Sequence, residues 1–134
     1  FGGAAGIADE ARSRGAALAD FDGDGRLDLV VNARRAPLTL WQNITANTGH
    51  WLAISPRMEG ANRFGLGAWI ELRGAGALQS REVTSGGGHA GGQAGPAHFG
   101  LGAATSAEVR VIWPDGTAGV WARYDADQRI VIRP

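Results

Sequence analysis

Ala107-Glu108-Val109-Arg110-Val111-Ile112-Trp113-Pro114-Asp115-Gly116 decides the fold class. Its first seven residues read as a β-strand. Pro114-Asp115-Gly116 then reads as a tight turn: Pro presets φ, and Gly takes the position that needs φ > 0. The same texture continues on both sides. Downstream, Thr117 to Tyr124 returns from the turn, and Arg129-Ile130-Val131-Ile132-Arg133 makes a last strand. Upstream, Gly67 to Arg73 alternates, with Trp69, Glu71 and Arg73 on one face and Ile70 and Leu72 on the other. Gly74-Ala75-Gly76 signals a hairpin into a strand over Leu78 to Thr84. His50-Trp51-Leu52-Ala53-Ile54 alternates as well. Short strands with turn signals at roughly 8–12-residue spacing indicate an antiparallel sandwich or barrel-like domain. No long amphipathic helix and no βαβ alternation is visible, so the chain is all-β.

Ahead of His50 the strands are shorter. Ala16 to Ala19 leads into an acidic loop, Asp20 to Asp28, and Leu29-Val30-Val31 leads out. Leu38 to Asn43 comes after the breaker Pro37. Ile7 to Arg12 has the length of one helical turn, too short to stand alone. The boundary between the two parts falls near Ala46 to Gly49, giving segments 1–48 and 49–134.

Composition sets limits. The chain has 134 residues, 13 basic and 13 acidic, with three His and no Cys. A domain of this size buries only about two-thirds of its unfolded surface. Much of the 44% apolar content is Ala, so the five Trp matter for bulk. Zero net charge gives no electrostatic footprint for nucleic acid or an anionic membrane. No stretch approaches the roughly 18 apolar residues of a membrane helix. Without Cys there is no disulfide, thiol nucleophile or Cys-based zinc site. The chain begins at Phe1, so a missing signal peptide carries no information. Every basic residue is Arg, a coding bias of the kind a GC-rich genome produces. The 22 Gly are dispersed and suit many tight turns.

One motif is sharp. Asp20-Phe21-Asp22-Gly23-Asp24-Gly25-Arg26-Leu27-Asp28 places four carboxylates within nine residues. They repel one another in water and call for a cation. Ca²⁺ takes six to eight oxygens at about 2.3–2.6 Å. Alternate spacing lets Asp20, Asp22 and Asp24 point inward from a loop that Gly23 and Gly25 can turn. The backbone carbonyl of Arg26 is the next candidate oxygen, and Asp28 closes the site. An EF-hand ends with Glu at loop position 12; here that position is Val31, and the flanks are strands. The loop is therefore a β-flanked Ca²⁺ site, with a structural role as the default. At a dissociation constant of about 0.1–1 mM, saturation adds roughly 1–2 kcal/mol.

These residues support a resemblance. Gly6-Ile7-Ala8-Asp9, Arg14-Gly15-Ala16-Ala17 and the Asp20–Leu29 loop together resemble an FG-GAP/VCBS repeat. The remainder of the chain, from His50 onward, is similar to an ASPIC/UnbV domain. That likeness rests on His50-Trp51-Leu52, Asn62 to Ala68, Arg81-Glu82-Val83, Gly86-Gly87-Gly88, His98 to Gly102, Val109 to Gly116 and Ala126-Asp127-Gln128. The resemblance implies one propeller-type calcium-loop blade over 1–48 and a β-domain over 49–134. It also implies calcium, export to the periplasm or outside, a bacterial source, and protein or surface recognition. It implies no known reaction. A propeller needs several blades and this sequence carries one calcium loop. The chain is thus expected to be a piece of a longer propeller protein or a docking subunit of a larger assembly.

The remaining constellations are weaker. His50, His89 and His98 lack a nucleophile elbow, so no catalytic set emerges. His98 reads as a structural hydrogen-bonder, and His89, in the Gly-rich loop, as a weak ligand candidate. Gly86-Gly87-Gly88 and Gly91-Gly92 lack the helix N-terminus and Lys of a phosphate cradle. Trp41, Trp51 and Trp113 are expected in the core, with Trp69 and Trp121 as candidate glycan-stacking residues. Asn43-Ile44-Thr45 matches a glycosylation sequon, which an Arg-only bacterial composition argues against. Arg34-Arg35, Asp9-Glu10 and Asp125-Ala126-Asp127 read as solvated turn charges; Arg34-Arg35 is also able to meet a partner's carboxylates. The function expected is a non-catalytic calcium-binding recognition module of an exported protein. The alternative is a carbohydrate-binding β-sandwich, and an enzyme is disfavoured. The blade is further expected to leave an open sheet edge, covered by the β-domain or by another chain.

Overall fold

A computed structural model describes residues 6–7, 12–88 and 91–134. The expected helical turn at Ile7 to Arg12, the pair Asp9-Glu10 and His89 lie wholly or largely outside the described residues. The described residues are all-β, and the chain divides into two compact units. Phe1–Thr45 with Gly86–Gln93 forms the first, and Ala46–Ser85 with Ala94–Pro134 the second.

The first unit is an antiparallel meander of β1 (Ser13–Ala19), β2 (Asp28–Ala33) and β3 (Thr39–Trp41). Ala19 faces Asp28 in register, so both ends of the acidic loop are pinned across one strand pair. Leu29 faces Trp41 and Val30 faces Leu40. Among the described residues, only Gly25 and Asp28 of this unit are buried. Apolar side chains on both sheet faces stay partly exposed, with Leu18 at 44% and Leu40 at 53%.

The open edge expected of this sheet is partly covered by its own chain. The amide of Leu18 on β1 donates to Gln93 Oε1 at 3.4 Å. Gly91 lies beside β1: an added Cβ would meet the Gly15 Cα at 3.5 Å, an ordinary contact distance.

The second unit is a sandwich. It contains β4 (His50–Pro56), β5 (Trp69–Arg73), β6 (Gln79–Glu82), β7 (Ala97–Gly102), β8 (Ser106–Ile112), β9 (Ala122–Asp125) and β10 (Gln128–Ile132). One sheet runs β10-β4-β7 and the other β6-β5-β8-β9. Leu52, Ile54, Phe99 and Leu101 from the first sheet join Ile70, Leu72, Val109 and Val111 from the second in one core. Burying each such side chain stabilises by roughly 1.5–3 kcal/mol. Trp69, Glu71 and Arg73 face outward while Ile70 and Leu72 are buried, as the alternation requires. Gln79 ties the sheets at one edge, donating to the Gly100 carbonyl at 2.9 Å.

Three strands depart from the sequence pattern. β7 carries no clear strand signal, because Gly100 and Gly102 interrupt it. Only the end of Thr117 to Tyr124 is strand: beyond the turn, pairing is limited to a bridge between Ile112 and Ala118. β10 pairs with β4 in parallel, since the turn after β9 carries the chain from one sheet to the other. Of the five Trp, Trp113 alone is fully buried; Trp41 and Trp51 are half-buried.

Candidate metal centre

The acidic loop is built by its own side chains. Asp20 Oδ1 accepts the Gly23 amide at 2.7 Å, and its Oδ2 accepts the Gly25 amide at 3.2 Å. Asp22 Oδ1 accepts the Asp24 amide, and Asp24 Oδ1 the Arg26 amide at 2.8 Å. Such Asx turns are what short carboxylates do when the backbone must reverse quickly. Gly23 and Gly25 sit at φ 83° and 88°, the left-handed region that side chains disfavour.

Asp20, Asp22 and Asp24 each offer a carboxylate oxygen within 4.8 Å of the others. At that spacing each pair repels by about 1 kcal/mol even at the dielectric of water. The donors are all oxygen, hard and anionic, a set that suits Ca²⁺ rather than a soft metal.

Asp28 is placed differently. It is 2% exposed, and its carboxylate accepts the amides of Phe21 at 3.0 Å and Asn43 at 2.8 Å. It clamps both ends of the loop to the chain leaving β3. Arg26 contributes its side chain too: the guanidinium pairs with Asp24, and Nε donates to the Asn43 carbonyl at 2.6 Å.

Gln42 and Asn43 join this site without any mark in the loop motif. Gln42 Nε2 donates to Asp22 Oδ2 at 2.6 Å, and Asn43 Nδ2 reaches the Leu27 carbonyl at 3.3 Å. Asn43 Oδ1 accepts both the amide and the hydroxyl of Thr45, so the apparent sequon is a structural turn. No local pattern marks such supports, because they come from the far side of a strand pair.

The other candidates are spread over the second unit. Trp69 is 45% exposed. The Trp121 ring carries Arg73 at 4.2 Å and Arg110 at 4.7 Å from its centroid. Those guanidiniums are held by Glu108 at 2.9 Å and Glu71 at 2.6 Å. Trp121 is therefore stacked on cations within the fold, which competes with stacking on a sugar. His98 lies against Trp51, ring centroids 5.6 Å apart and nearly parallel. His50 Nδ1 meets Asp127 Oδ2 at 2.6 Å, and Asp127 Oδ1 accepts the Trp51 amide. Asn62 takes both the amide and the carbonyl of Leu66, closing the loop before β5.

The family described as ASPIC and UnbV matches residues 58–134, and the FG-GAP repeat matches residues 13–49. The chain belongs to the ASPIC/UnbV family. Cartilage acidic protein 1 of Mus musculus and of Homo sapiens is 34% identical over 111 residues, and that of Xenopus tropicalis 33%. Those alignments cover 80% of this chain and 17% of each relative, so the chain spans about a sixth of their length. The FG-GAP match contains β1, β2, β3 and the aspartate loop. The ASPIC/UnbV match contains both loops closed by Asn62 and Asp115. An FG-GAP repeat joined to an ASPIC/UnbV domain marks a non-catalytic, β-propeller-like module. No helix among the described residues is long and apolar enough to cross a membrane.

Proposed function

We propose that this chain is a calcium-binding, non-catalytic recognition module of an exported bacterial protein. It serves as part of a larger propeller or as a docking subunit. The observation that carries the calcium reading is the approach of three carboxylate oxygens within 4.8 Å on a loop pinned between two strands. Asp20, Asp22, Asp24, the Arg26 carbonyl and Asp28 would hold the ion. Bound calcium would offset most of the loop's negative charge and fix the turn from β1 to β2. The partly exposed apolar side chains on both faces of the β1–β3 sheet, Leu18 and Leu40 among them, favour packing against further sheets.

Calorimetric titration of the full chain with Ca²⁺ tests this. Binding in the sub-millimolar to millimolar range is expected, abolished by Asp20→Asn with Asp24→Asn. No heat and no shift in melting temperature between calcium and chelator would sink the reading. The carbohydrate alternative keeps one supporting observation, the exposed indole of Trp69.

A further inference from the structure

We propose that the end of the β1–β3 sheet opposite the aspartate loop docks on an anionic lipid surface. Net charge hides this end. Arg12 and Arg14 flank the start of β1, and Arg34 and Arg35 form the turn from β2 to β3. All four are exposed. The Arg34 amide donates to the Arg12 carbonyl at 3.0 Å, which extends the ladder past the Ser13–Ala33 pair and sets the two arginine groups side by side. Among the described residues, none of the four is in an ion pair, whereas Arg26, Arg73 and Arg110 are. Asp20, Asp22 and Asp24 belong to the other end of the same strands. Among the described residues of this sheet, the four arginines and the three loop aspartates therefore lie at opposite ends.

Two features select the partner. Guanidinium forks match phosphate oxygens two at a time. The same turn then presents Leu38, 65% exposed, straight after Pro37. A basic rim around an apolar foot suits a headgroup layer, where charge attracts and the side chain sinks. A soluble polyanion has no use for the leucine. Arg35 holds φ 57°, a costly conformation for a non-glycine residue, so the turn has a defined shape.

The test is co-sedimentation of the full chain with phosphatidylglycerol–phosphatidylcholine vesicles against phosphatidylcholine alone, in calcium. Retention on the anionic vesicles only, weakening with salt, is expected. Arg34→Gln with Arg35→Gln should lower partitioning roughly thirty-fold. Leu38→Ser should lower it several-fold while leaving the salt dependence unchanged. These positions are exposed, and unchanged melting curves will show that the variants fold. Equal retention on neutral vesicles, or none on anionic ones, overturns the proposal. So does retention that survives the arginine substitutions, the mark of calcium bridging through the aspartate loop. Retention indifferent to Leu38→Ser, matched by binding to dextran sulfate, assigns the surface to soluble polyanions instead and overturns the lipid.

Discussion

Asp28 shows how one buried carboxylate can organise a loop. Its two oxygens take two backbone amides from segments on either side of the sheet. Asp28→Ala leaves both donors unpaired and should cost about 2–4 kcal/mol in urea denaturation, while Asp28→Asn, keeping one acceptor, should cost about half as much. Gly49 sets a steric limit. A Cβ there would lie 2.6 Å from the Gly102 carbonyl oxygen and 2.7 Å from its Cα. Both obstacles are backbone, so Gly49→Ala should lose about 2–3 kcal/mol. Asp115 is a surface example with a pH signature. The Thr117 amide, 2.9 Å away, and then its hydroxyl hold the Asp115 carboxyl below the ordinary carboxylate range. A depressed folded-state pKa contributes stability above the unfolded value, which is lost as pH falls through the folded one. The stability gap between the native chain and Asp115→Ala should therefore be widest near neutrality and close in acid. NMR titration of the Asp115 carboxyl should give a midpoint below the ordinary one.

Elements in the second unit are joined by side chains as much as by ladders. Glu71 faces Arg110 and Arg73 faces Glu108 across β5 and β8, with Trp121 against both guanidiniums. A double-mutant cycle on Glu71 and Arg110 should return a coupling of about 0.5–1 kcal/mol that shrinks with salt. Strands whose apolar residues alternate without interruption, such as β5 and β8, are plain in the sequence. β7 is not, because its outward positions include glycines that carry no propensity signal. Thr117 to Val120 reads as strand yet holds one bridge, made by the Gly119 amide on the Val111 carbonyl and the Trp113 amide on the Thr117 carbonyl. The aspartates of the loop can be named from spacing alone. Gln42 and Asn43 cannot, because they act across 20 and 15 residues of chain with no motif of their own.

At the scale of the molecule, the two units differ in what holds them. The second has a buried aliphatic and aromatic core; the first relies on its loop, its ladder and the segment Gly86–Gln93. Calcium removal should therefore soften the first unit selectively. Trp41 is the one indole of that unit, so its NMR indole signal should shift with chelator while those of Trp69 and Trp113 hold. Equal movement of all three would mean that the ion supports both units alike. The covered edge of β1 also has a consequence for synthesis. Leu18 finds its acceptor 75 residues later in the chain. At about 5–20 residues per second, a ribosome leaves that strand uncapped for several seconds. Nascent chains arrested before Gly86 should pair with one another through β1, so the price of this long-range closure is a brief window of stickiness during translation.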